Sequence, residues 1–279
     1  MTSGLVLGSL VVVGVDAEGA EVVRLALGHG DDPTTLLALH GWEVCRVRDA
    51  VKDPVENNVL TMTFVVLPFL AQPQAAPPLT SQVQSRRNDD LVTVEGEVAL
   101  RHQRVAAYAL VTSSRGFLMT QFSDRTGAEG QWGLPGGGLD DEEAPDRAVV
   151  REVWEESGQL IEVGELALIH TSRWVGRAPT GRLEDFHAVR VVYRASCPDP
   201  TEPVVHDVGG TTASAAWLPA ADLDLLALTS SWRSILRDVA SMGGRGSDVS
   251  AVVTAPDQTD GPDQHHQDTD ADDCARSQP

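Results

Sequence analysis

The rhythm of apolar and polar positions changes several times along the chain. Residues 5–15, LVLGSLVVVGV, and 20–27, AEVVRLAL, are short runs rich in β-branched residues and bounded by turn formers, which predicts two strands. Residues 33–41, PTTLLALHG, space their leucines for a short helix ending at Gly41, and 42–50, WEVCRVRDA, and 58–68, NVLTMTFVVLP, return to strand character. This predicts a small β-rich α+β domain over residues 1–70. Residues 71–90 lose all periodicity and fill with Pro, Gln, Ala and Ser, the composition of a linker.

A second domain is predicted over 91–240. It opens with RVAAYALVTS at 104–113 and GFLMTQF at 116–122, a hairpin-like pair separated by Ser114 and Arg115. Strands are expected again at 163–174, VGELALIHTSRW, and 186–196, FHAVRVVYRAS. The stretch AAWLPAADLDLL and an amphipathic helix, SSWRSILRDVA at 230–240, close the domain. Residues 241–279 contain no aromatic side chain and are dominated by Asp, Gln, Gly and Ser, so a disordered acidic tail is expected.

Between the hairpin and the later strands lies the densest charge, GGGLDDEEAPDRAVVREVWEESGQ at 136–159. Pro145 suits a first helical position and Gly158 a left-handed terminator, which bounds a helix at 145–157. Asp146 complements the positive end of its dipole, whereas Ala144 offers no side-chain cap. At about 100° per residue, Glu152, Glu155 and Glu156 share one face within roughly 100°. Val150, Val153 and Trp154 form the opposite stripe, expected to pack on a sheet. Like charges so arranged destabilise a solvated helix by a few tenths of a kcal/mol per pair, so a hard cation taking oxygen ligands is the better account of them. Arg151 and Glu143 flank this face, and Gly136, Gly137 and Gly138 allow backbone to approach it closely.

Composition narrows the chemistry. The 279 residues carry 41 Asp and Glu against 21 Lys and Arg, a formal charge of −20, which repels nucleic-acid backbones and anionic membranes. Neither nucleic acid nor membrane is an expected partner, and a polyanionic ligand needs a local cation. Three cysteines, Cys45, Cys197 and Cys274, are widely spaced and suit a reducing compartment. Because no Lys or Arg precedes the apolar run at 4–15 and Asp16 follows it directly, it is expected to be a buried strand of a cytoplasmic protein. The first domain shows no nucleophile, metal spacing or phosphate loop, and is expected to serve packing or dimerisation, so a homodimer is compatible with it.

Gly137, Glu143, Arg151, Glu152, Val153, Glu155, Glu156 and Gly158 stand at the spacing of the Nudix box, and the region resembles the Nudix (MutT-type) hydrolases. Gln159 stands where the box usually has an apolar residue, with Leu160 next to it as the expected substitute for packing. The resemblance implies an α/β fold, the Nudix α/β/α sandwich, in which a loop–helix–loop holds Mg²⁺ or Mn²⁺ against a diphosphate. It implies hydrolysis of a nucleoside diphosphate linked to another moiety, by attack of water on phosphorus. Carried over by position, Glu152, Glu155 and Glu156 are metal carboxylates, Gly136 a carbonyl ligand, Glu152 also a base, and Arg151 and Glu143 an orienting pair.

Ala215 and Ala216 precede Trp217 where some members of the family place another catalytic Glu, so no base outside the box is assigned. Glu184, Asp185, Glu202 and Asp207 are read as structural or solvated, and His187 as a satisfied strand histidine. Arg173, Arg177 and Arg182 are candidates for phosphate or for surface solvation, and Trp132 and Trp174 for base stacking or core. A regulator that senses such nucleotides without cleaving them is the second reading. Isomerisation of a prenyl diphosphate is disfavoured because no Cys lies near the box.

Overall fold

A computed structural model describes residues 10–52, 59–69, 86–87, 91–178 and 181–242. The expected tail beyond Met242 and most of the 71–90 segment lie outside these. In chain order the elements begin with β1 (Leu10–Val15), β2 (Glu21–Ala26), α1 (Pro33–Leu39), β3 (Trp42–Lys52), β4 (Leu60–Pro68) and β5 (Arg86–Arg87). They continue with β6 (Leu100–Ser113), β7 (Gly116–Phe122), β8 (Trp132–Gly133), β9 (Gly136–Gly138) and α2 (Pro145–Ser157). The chain then forms β10 (Glu162–Arg177), β11 (Leu183–Ser196), β12 (Thr212–Leu218), a 3₁₀ turn at Ala220–Leu225 and α3 (Ser230–Met242). Two compact units result: Met1–Ala107 with Gly138–Arg147 and Glu165–Val192, and Tyr108–Gly137 with Ala148–Gly164 and Tyr193–Pro279.

In the first unit β1 to β4 form a four-stranded sheet of order β2-β1-β4-β3, with β1 and β4 parallel and the other pairs antiparallel. Val12, Val13, Leu37, Met62, Phe64 and Val66 are buried in it. Helix α1 starts because Pro33 occupies its first turn and Asp32 caps it, accepting a 2.8 Å bond from the Thr35 N–H. The same unit holds the order β6-β11-β10-β5. Here Arg86 and Arg87, inside a segment whose composition predicts only linker, pair in parallel with Trp174 and Val175.

In the second unit β12 and β6 flank β7, with β8 paired to β7 and β9 to β6. Trp232, Ile235, Leu236 and Val239 repeat at helical spacing along α3 and are all buried. Each such side chain contributes about 1.5–3 kcal/mol by leaving water. Trp232 meets Tyr108 edge-to-face at 4.6 Å.

Helix α2 spans the predicted residues, and Gly158, at φ 68°, ends it with its N–H on the Trp154 carbonyl at 2.8 Å. Its buried face differs from the expected one. Ala148, Val149 and Val153 are buried together with Glu152, Glu156 and Ser157, whereas Trp154 is 46 % exposed. Two of the carboxylates therefore point inward beside the apolar stripe instead of away from it.

Candidate functional site

The second unit assembles the acidic cluster from two short segments and one helix. Glu156, buried, accepts the Gly136 N–H at Oε2 over 2.9 Å and the Thr212 hydroxyl at Oε1. Glu152, also buried, packs over Gly137: a Cβ on that glycine would sit 2.7 Å from the carboxyl carbon and 2.8 Å from each oxygen. The Nη1 of Arg151 donates to Glu152 at 2.8 Å and to Glu155 at 3.1 Å, so one guanidinium holds two neighbouring carboxylates. Such charge-assisted bonds are about twice as strong as neutral ones, and they offset the repulsion that an acidic face otherwise carries. Gly136 itself has φ 141°, a backbone conformation that favours glycine.

Glu143 lies in the first unit, in the turn before α2. Its Oε2 accepts the Asp140 N–H at 2.9 Å, while its own N–H donates to the Asp140 carbonyl at 3.1 Å. Glu142 within this turn has φ 62°, and Asp140, Asp141 and Glu142 are exposed, as solvated turn residues should be.

Each carboxylate of the helical face is engaged by its own protein partners. Among the described residues no three His, Cys, Asp or Glu side chains are grouped as a metal cage. Arg151 engages Glu152 and Glu155, and Glu156 is turned toward Gly136 and Thr212. The donor set nevertheless consists of hard oxygens only, and each carboxylate oxygen has more than one lone pair. Such a set fits Mg²⁺ or Mn²⁺, ions for which water and substrate phosphate complete the shell.

The C-terminal end of α2 is tied down by the segment after Thr201. Val204 N–H reaches the Ser157 carbonyl at 2.9 Å, and the N–H groups of His206 and Asp207 both reach the Glu155 carbonyl, at 2.7 and 3.1 Å. The exposed Trp154 ring stacks on His206 with centroids 4.5 Å apart. Its place is a lateral clamp, which corrects its assignment to the packing stripe. Gln159 is 2 % exposed and Leu160 74 %, so Leu160 does not substitute for the apolar residue of the box. Gln159 instead satisfies its amide at Ser157 O, Thr201 Oγ1 and Thr201 N–H. Thr212, Thr201 and His206 carry no motif, and only the folded chain brings them to the helix.

The remaining candidates fall into ion pairs and packing. Arg173 pairs with Asp185, Arg177 with Glu97, Arg182 with Glu184, and Arg115 with Glu202. The Arg173 guanidinium holds the Asp185 carboxyl below its ordinary range, against burial. His187 is wholly buried in the first unit, and its Nδ1 accepts the Gly30 N–H at 3.0 Å and lies 2.7 Å from the Gln103 amide. Burial foremost, with neighbouring His29, pushes His187 down to about 4. Trp174 stacks on Phe186, and the backbone N–H of Trp132 bonds Ala227 O.

The family model of the NUDIX domain matches residues 102–239, and through them the chain belongs to the Nudix (MutT-type) hydrolase family. The mixed sheet with few helices fits the α/β/α fold of that family. A MutT-like protein of Streptomyces ambofaciens is 35% identical over 107 residues, covering 38% of this chain and 53% of that protein. Diphosphoinositol polyphosphate phosphohydrolase 3-alpha of Mus musculus is 41% identical over 69 residues, 25% of this chain and 35% of that protein. The matched stretches thus span about half or less of these curated relatives. The crystal structure of a MutT NUDIX hydrolase from Burkholderia pseudomallei aligns with 31% identity and a TM-score of 0.39, over 50% of this chain and 98% of that one.

Proposed function

We propose that the protein is a divalent-metal-dependent hydrolase that cleaves the phosphoanhydride of a nucleoside diphosphate linked to another moiety. The observation that carries this is the braced carboxylate set: Arg151 across Glu152 and Glu155, with Glu156 held by Gly136 and Thr212. Glu152, Glu155, Glu156 and the Gly136 carbonyl would hold Mg²⁺ or Mn²⁺, which when bound neutralises phosphate charge and lowers the pKa of water. Glu152 would accept the proton of the attacking water. Arg151 keeps Glu152 and Glu155 in place, and Glu143, which fixes the turn ahead of α2, would complete the orienting pair. Water attacks phosphorus, the bond to the bridging oxygen breaks, and that oxygen leaves on the second product.

Residues 91–240 would form the catalytic domain, residues 1–70 an accessory domain with its own sheet, and 241–279 a tail. A cytoplasmic location is supported by the free thiols of Cys45 and Cys197. Among the described residues no helix is long and apolar enough to cross a membrane. The test is a panel of nucleoside triphosphates, nucleotide sugars, dinucleotides and ADP-ribose with Mg²⁺ and Mn²⁺, reading release of phosphate and diphosphate. Turnover of one class is the expected result. Tight binding of these nucleotides without turnover would favour the nucleotide-sensing reading instead.

A further inference from the structure

We propose that Thr212 is a positioning residue for the metal carboxylate Glu156, an inference that rests on the hydrolase reading above. Thr212 opens β12, is 6 % exposed, and directs its hydroxyl proton at Glu156 Oε1. The other oxygen of that carboxylate receives the Gly136 N–H. Glu156 is thus gripped from β12 and from β9, two separate strands. Glu152 and Glu155 instead share a flexible guanidinium of their own helix.

The strand is irregular at this residue. β12 pairs with β7 through Thr212↔Phe122 and Ser214↔Gln121, so two steps along β12 match one step along β7. Residues two apart on a regular strand share a face, whereas directly paired residues of neighbouring strands point the same way. Phe122 and Gln121 are consecutive and point to opposite faces, so the bulge sends Thr212 to the face opposite Ser214. Ser214 bonds Gln121 at 3.1 Å, and Thr212 turns to Glu156. Bulges of this kind re-aim side chains beside active sites. A β-branched residue is stiff about χ1, which fixes the hydroxyl where the carboxylate must stand.

An outer partner of this kind tunes a ligand's orientation and basicity, and its loss typically weakens metal affinity about 10–100-fold. The test is titration of the full-length protein with Mn²⁺ alone, followed by calorimetry, for wild type, T212V and T212S, with thermal unfolding of each in EDTA. Mn²⁺ affinity is expected to fall about 10–100-fold in T212V and to return in T212S, which restores the hydroxyl. Wild-type Mn²⁺ affinity in a folded T212V, with only its unfolding temperature lowered, would show a merely structural residue and overturn the proposal. Should T212V not fold, T212S decides the matter against T212A, with the same two outcomes. A wild-type protein that binds no Mn²⁺ would overturn the hydrolase reading and the proposal with it, a signature distinct from retained affinity in the variant.

Discussion

Gly137 lies directly under the carboxyl of Glu152: a Cβ added there would come within 2.7 Å of its carbon and 2.8 Å of both oxygens. An alanine at this position therefore fits only by displacing the Glu152 carboxyl. The expected outcome for Gly137→Ala is a loss of about 100-fold in kcat, the scale that a misplacement near 1 Å produces. Steady-state kinetics on a folded variant checks this, and wild-type turnover would show that Glu152 has no fixed place in the chemistry.

Arg151 bridges Glu152 and Glu155 through one nitrogen. Replacing it with Ala leaves two carboxylates on one helix face without this counter-charge. Bonds to charged groups contribute about 1.5–3 kcal/mol each where buried. The side chains here are 25%, 11% and 32% exposed, so about 1–2 kcal/mol in total is the expected loss without metal. Unfolding by urea in EDTA measures it. Added Mn²⁺ should restore part of the loss, because a cation at this face replaces the missing positive charge.

Gln159 presents the opposite case, where the family's preferred residue should do harm. Gln159→Leu would leave the Thr201 N–H without its acceptor, at a site where the glutamine is 2 % exposed. A buried group left unsatisfied costs about 1–3 kcal/mol, so the variant should be less stable in urea despite its closer match to the box.

The buried His187 makes acid the weak side of this protein. Its folded value is about 4 against an unfolded value near 6.5, so the unfolded chain takes up a proton first as pH falls. Stability from neutral His187 is complete above about 6.5 and is lost between there and about 4, about 3 kcal/mol in all. Asp185, lowered by Arg173, acts in the same direction: its contribution is present above the unfolded carboxylate range and lost as pH falls through its folded value. Comparing urea midpoints at pH 7 and pH 4 for wild type and His187→Asn, which keeps an acceptor near Nδ1, isolates the histidine. The variant should show the smaller drop, and an equal drop would remove His187 from the account.

Legibility in sequence followed how local each interaction is. Pro145, Gly158 and the Glu spacing act within α2, so its bounds and its acidic face follow from short-range rules. The choice of buried face did not. Val150 and Trp154 look apolar enough to pack, but Glu152 and Glu156 take the inward positions because Gly136, Gly137 and Thr212 receive their carboxyl groups. Those partners are far apart in the chain, and no periodicity reports them. Leu160 likewise looked like the packing residue, until the hydrogen bonds of Gln159 to Thr201 made the polar residue the buried one. The strand at Arg86–Arg87 owes its existence to the neighbouring edge of β10, and its own composition carries no strand signal.

The central claim is that the Glu152, Glu155 and Glu156 face is a metal site for phosphoanhydride hydrolysis. The most direct measurement is Mg²⁺-dependent phosphate release from the nucleotide panel by wild type and by Glu155→Gln, each shown to unfold cooperatively. The account predicts turnover by wild type, none in EDTA, and none by the folded variant. Full turnover by Glu155→Gln would contradict it.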